Sequence, residues 1–151
     1  MQAPDIVDRS AFTVAGHHYE GTNQDGELAE CWRSVADDWA DLLALAADDR
    51  AYGVSYGGDP EAGTFEYLAG VRVAADANVP ETVTAVDVPA STYAVFETTL
   101  AAVDETMQYV HREWLPDAEY DLAMGPEVER YADPEAAGDP GATFTISVPI
   151  G

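Results

Sequence analysis

Two stretches of this chain carry the same apolar spacing, and that repeat narrows the possible folds more than any other feature. Leu28, Trp32, Val35 and Trp39 follow one another at steps of 4, 3 and 4, and Val103, Met107, Val110 and Trp114 repeat those steps 75 positions later. Such spacing lays one apolar stripe along a helix, so the segments 27–49 and 101–116 are predicted as amphipathic helices. Each is preceded by a strand-like run, "AFTVAGHHYEG" (11–21) and "STYAVFETTL" (91–100). Each is followed by two more: "YGVSYGG" (52–58) and "GTFEYLAGVRVAA" (63–75), then "YDLAMGPEVERY" (120–131) and "ATFTISVPI" (142–150). "TNQDG" (22–26) and a Gly/Pro turn after Tyr56 read as breaks. The order strand–helix–strand–strand, met twice, predicts an α+β fold with pseudo-twofold symmetry: an antiparallel sheet, two long helices and a central cleft between modules. The expected layout is one domain over 1–151, with a first module at about 11–75, a linker at about 76–90 and a second module at about 91–151. Clefts at such junctions are favoured places for small molecules.

Charge decides what a cleft in this chain could not serve. Against 29 Asp and Glu stand six basic residues, all arginine, for a net charge of -23, while hydrophobic residues make up 47% of the chain and argue for a packed core. Self-repulsion of that size destabilises a compact state unless ions screen it, and screening shortens to about 3 Å in molar salt. The composition is that expected of a cytoplasmic protein from a salt-loving organism. The arginines are scattered, which argues against direct nucleic-acid binding. Cys31 is the only cysteine, so no internal disulfide or multi-cysteine metal site is expected. No apolar run reaches the roughly 18 residues of a membrane span, and the N-terminus carries no signal pattern. His17 and His18 are neighbours on a strand and point to opposite faces, and His111 lies off the apolar stripe, so no metal is expected. Nor is there a glycine-rich phosphate loop, a nucleophile elbow or a paired-acid signature, and no cofactor is expected.

Strand alternation then sorts the many aromatics. Phe65, Tyr67, Ala69, Val71 and Val73 share a face, with Glu66 and Arg72 on the other. Tyr93, Val95 and Glu97 share a face, as do Glu127, Glu129 and Tyr131. A buried phenol needs a hydrogen-bond partner, and a carboxylate among aromatic rings suits a cationic ligand.

The segments "FEYLAG", "PASTYAVF", "REWLP", "PEVERY" and the final "SVPI" resemble the GyrI-like small-molecule-binding family, which also supplies the effector-binding domain of multidrug-responsive transcription activators. The resemblance runs from Phe12 to Ile150. With the first strand expected from about residue 11 and so no helix-turn-helix before it, a stand-alone member is expected, and the acidic coat suggests a haloarchaeal-type one. It implies a glutamate at the floor of the cleft, matched by Glu129, with Tyr131 two residues on; Val128 stands where the family carries an aromatic. It also implies ligand-binding roles for Trp32, Tyr67, Tyr93 and Trp114. The function implied is binding or sequestering hydrophobic, cationic aromatic compounds without catalysis, any transcriptional output passing through a separate regulator protein. One alternative is a hydrolase of strained-ring electrophilic toxins, with Glu129 as acid or base and Tyr67 or Tyr93 orienting water. Another is a gyrase-inhibitor-like module that holds a protein partner.

Overall fold

A computed structural model of the chain describes residues 3–22, 27–48, 50–57, 61–74, 76–99, 101–123, 125–132 and 141–151. The elements run β1 (Asp5–Arg9), β2 (Phe12–Gly21), α1 (Glu27–Asp37), α2 (Trp39–Leu45), β3 (Ala51–Tyr56), β4 (Phe65–Val73), β5 (Thr84–Val88), β6 (Ser91–Thr99), α3 (Val103–Tyr109), a π-helical turn (Val110–Trp114), α4 (Leu115–Asp117), β7 (Glu127–Tyr131) and β8 (Thr143–Ile150). The breaks expected at 23–26 and 58–60 lie outside the described residues.

The strands form one antiparallel sheet in the order β1-β6-β8-β7-β3-β4-β2-β5. Read inward from the two edges, β1 answers β5, β6 answers β2, β8 answers β4, and β7 meets β3 at the centre. This is the pseudo-twofold α+β arrangement that the repeat predicts. The two halves join along the β3–β7 ladder, where Gly53 pairs with Glu129 and Ala51 with Tyr131.

Alternation along the strands builds a core on each face. On one face Tyr67, Ala69, Val71 and Val73 of β4 and Phe144, Ile146, Val148 and Ile150 of β8 pack against Trp32, Val35, Leu42 and Val110 of the helices. These helix residues include the inner positions of both stripes. On the other face Phe12, Val14, Tyr52, Val54, Leu68, Val88 and Val128 form a second buried cluster that contains no helical residue. That face is closed by curling of the sheet. Gly16 pairs with Gly70, and a Cβ on either would strike the opposite backbone, so β2 and β4 approach more closely there than side chains allow. Arg9 on edge strand β1 interacts electrostatically with Tyr52 of β3 and Arg72 of β4. In a flat sheet β1 and β4 would stand five strand spacings, about 24 Å, apart. The face away from the helices is therefore a trough.

Neither helix is long and unbroken, contrary to expectation. Asp37 and Asp38 set two carboxylates against the negative end of α1, whose last turn holds no basic residue. The chain breaks at Asp38, and α2 starts at Trp39. His17 of β2 fastens the break: its Nδ1 is 2.8 Å from Ser34 Oγ and its Nε2 is 2.8 Å from Asp38 Oδ2. In the second helix Pro116 has no N–H to give to the Arg112 carbonyl. The turn just before it widens to the i→i+5 pattern over Val110–Trp114. Two strands were also missed. β1 precedes the expected first strand and pairs with β6, and β5 lies inside the expected linker and pairs with β2. Of the run 120–131 only Glu127–Tyr131 is a strand, with Leu122 bridged to Ile150.

Candidate functional site

Glu129 occupies the central seam on the helix-bearing face. Its strand neighbour Tyr131 faces the same way and is buried in the main core, and its cross-strand partner is a glycine. That glycine is required by the space. A Cβ at Gly53 would run into the Tyr67 hydroxyl and come within 2.8 Å of Glu129 Oε1. A side chain missing from β3 thus makes room for a phenol from β4 and a carboxyl from β7 to meet.

They meet at one oxygen. The Tyr67 hydroxyl donates to Glu129 Oε1 at 2.6 Å, and the Tyr131 hydroxyl donates to the same atom at 3.1 Å. Trp32 Nε1–H of α1 in turn donates to the Tyr67 oxygen at 3.2 Å. The Trp32 ring lies edge-on to Tyr131 at 5.2 Å and to Tyr67 at 6.4 Å, and Phe144 stacks on Tyr131 at 4.7 Å. The second carboxyl oxygen, Oε2, has no hydrogen-bond partner among the described residues, and Glu129 keeps some solvent-accessible surface.

Electrostatics follow from this packing. Burial pushes the Glu129 carboxyl above its usual range; the two phenol donors pull it back, and Glu127 on the same face adds to the rise. Burial also raises Glu127, against the pull of His111. The Tyr67 and Tyr131 phenols are driven upward by burial first and then by Glu129, so both remain proton donors. The cluster is a carboxyl with one oxygen held by phenols and the other open, inside a wall of rings.

Four of the six candidate residues (Glu129, Tyr67, Tyr131 and Trp32) come together there. Tyr93 does not. It pairs with Pro149, whereas the flanking Val148 and Ile150 belong to the helix-side core, so Tyr93 points into the trough. Trp114 lies on the helix side, but among the described residues its ring contacts are not with Tyr67, Tyr131 or Trp32. It stacks on Tyr120 at 6.5 Å and meets Phe96 edge-on at 5.4 Å, and Phe96 pairs with Ile146, the partner of Glu129. Sequence reasoning overlooked Gly53 and Phe144. A glycine inside a strand is itself a sign of close approach, and "YGVSY" carried it.

Two open depressions are lined by other residues. One of about 680 Å³ is bounded by Glu105, Gln108, Tyr109, Arg112 and Glu113, and one of about 390 Å³ sits by Asp5, Glu97 and Thr145. Among the described residues no group of three His, Cys, Asp or Glu is placed to hold a metal ion. No helix among the described residues is long and apolar enough to cross a membrane.

Comparison with known proteins agrees with this architecture. The transcriptional regulator BrlR of Pseudomonas aeruginosa is 28% identical over 149 residues, covering 96% of this chain and 54% of BrlR. The chain thus spans about half the length of that relative. SAV2435, solved bound to tetraphenylphosphonium, superposes with a TM-score of 0.71 at 18% identity, covering 99% of this chain and 94% of the other. The integron cassette protein VCH_CASS2 of Vibrio cholerae gives 0.56 at 18% identity, covering 99% and 97%. At such identities the two structures speak for the fold alone. The match to a family model is broader in meaning, since it spans residues 5–150. With nearly its whole length matched, the chain belongs to the Cass2 family of integron-associated effector binding proteins.

Proposed function

We propose that this protein binds small, largely hydrophobic, cationic aromatic compounds, with Glu129 as the anchor and Tyr67, Tyr131 and Trp32 as the wall. The observation that carries this reading is the division of labour within one carboxyl: Oε1 receives two phenol protons while Oε2 has no described partner. Glu129 is half-buried, so its carboxylate is partly desolvated, and a cation at the second oxygen offsets that cost. The surrounding ring faces attract cations in their own right. The solved relative SAV2435 with tetraphenylphosphonium supports the choice of ligand class. We propose in addition that the acidic coat adapts the fold to strong salt.

Titration with tetraphenylphosphonium, followed by tryptophan quenching, tests the anchor. A charge-assisted contact contributes about 1.5–3 kcal/mol, so Glu129→Gln is expected to weaken binding by roughly tenfold or more. Glu66→Gln is the control, because Glu66 lies on the opposite face and accepts a hydrogen bond from His18. It should leave affinity unchanged, and a neutral tetraphenyl analogue should not distinguish the proteins. Equal affinity of wild type and Glu129→Gln would remove the carboxyl from the site.

A further inference from the structure

We propose a second site, for a compact oxyanion of the phosphate type, in the trough on the sheet face away from the helices, where Arg9, Arg72 and Arg130 converge beside the unpartnered Tyr93 hydroxyl.

The three arginines come from β1, β4 and β7, and alternation puts all three on the trough face. Arg9 is two residues from Val7, the partner of Tyr93; Arg72 shares its face with Leu68, and Arg130 with Val128, both in the trough cluster. Curling of the sheet brings them within electrostatic range, Arg9 interacting with both Arg130 and Arg72. Half of the chain's six basic residues are thus gathered in one place. Like charges repel, and this chain has 29 acids available to neutralise them. Yet among the described residues none of the three lies within ion-pair distance of a carboxylate, the contacts at that range being those of His17 with Asp38 and His18 with Glu66. Asp48, which like Arg72 and Arg130 interacts electrostatically with Tyr52, is engaged by the Tyr52 hydroxyl at 2.6 Å.

Orphaned hydroxyls lie on the same face. Tyr93 is 1% exposed, its ring lies under the Arg9 guanidinium at 6.0 Å, and its hydroxyl has no hydrogen-bond partner. Ser147, two residues before the Pro149 that pairs with Tyr93, is also 1% exposed and unpartnered. A buried donor without an acceptor costs about 1–3 kcal/mol. One anion would accept from Tyr93 and take the forked guanidinium donors together, for which arginine is better suited than lysine. The net charge of the chain opposes an approaching anion in dilute buffer, but in molar salt that long-range term fades over about 3 Å and contacts at the site decide. If the arginines served only to lay their aliphatic stems over the apolar trough, no anion would be needed.

Titrating inorganic phosphate into the full chain in molar potassium chloride, followed by ³¹P line broadening, separates the two. Wild type is expected to show saturable broadening. Arg9→Gln and Arg130→Gln should each weaken it at least fivefold, while Arg112→Gln, on the π-helical turn, should leave it unchanged. Glu129→Gln should also leave it unchanged, which keeps this site independent of the cation site. Arg9→Lys retains the stem and charge but loses the fork; it should fold as wild type does, checked by circular dichroism, and still bind more weakly. No saturable broadening in wild type, or equal loss in Arg112→Gln, would overturn the proposal. So would wild-type binding by folded Arg9→Lys and Arg130→Gln.

Discussion

At the scale of single residues, Glu129 ties site chemistry to pH. Its carboxyl titrates above the ordinary carboxylate range because burial outweighs the two phenol donors. The native state therefore holds a proton that the unfolded chain releases at lower pH. The associated stability is complete below the ordinary carboxylate range and is lost as pH rises through the raised native value. Ionisation of the acidic coat works in the same direction, so the informative quantity is a difference between proteins. The thermal midpoint of wild type is expected to fall more steeply than that of Glu129→Gln over this window, and Glu127, also raised by burial, leaves a smaller slope in the variant. Affinity for a cation should run the other way, rising with pH in wild type as the carboxylate forms. Identical midpoint–pH curves for the two proteins would show that the carboxyl is not perturbed. The shared face of Glu129 and Tyr131 was legible from alternation alone, and the resemblance pointed to Glu129. Alternation could not place Tyr93 relative to Glu129, because it says which residues of one strand share a face, not which face of the sheet that is. Only the pairing of β6 with β8 settles it.

At the scale of elements, the repeated stripe and the run order were enough to anticipate the two-half sheet, but not where the helices break. Those breaks depend on partners remote in sequence or on one missing N–H: His17 reaches the α1–α2 joint from β2, and Pro116 widens the turn before it. β1 and β5 escaped notice for a different reason. They are five-residue edge strands, so little of their surface is buried and their sequences carry little apolar alternation to read. The joint offers a direct comparison of neighbouring histidines. His17→Ala removes both side-chain contacts to Ser34 and Asp38 and should cost about 1–2 kcal/mol of stability. His18→Ala, which loses an exposed hydrogen bond to Glu66 at 3.1 Å and a tilted ring contact with Tyr56 at 6.4 Å, should stay within about 0.5 kcal/mol. Urea unfolding of the two variants measures both, and equal losses would mean that the joint does not depend on His17.

At the scale of the whole molecule, the net charge of -23 sets a common condition for everything above. Most of that charge has no opposite charge to meet, so the compact state is expected to gain stability as salt rises. Thermal midpoints in dilute and in molar potassium chloride should differ by many degrees, and a midpoint that stays fixed would remove the proposed adaptation to brine. The sheet order also bears on how the chain is made. β1 lies near the start of the chain, yet its Asp5 pairs with Val95, 90 residues later. Closing so long a loop brings its reward only after β6 exists, the kind of non-local contact that slows folding. At the roughly 5–20 residues per second of protein synthesis, β1 must wait on the order of 5–20 s for its partner to be made. During that interval it is an unpaired strand, the sort of segment that recruits other chains, and Asp5, Asp8 and Arg9 are the charges that keep it from doing so.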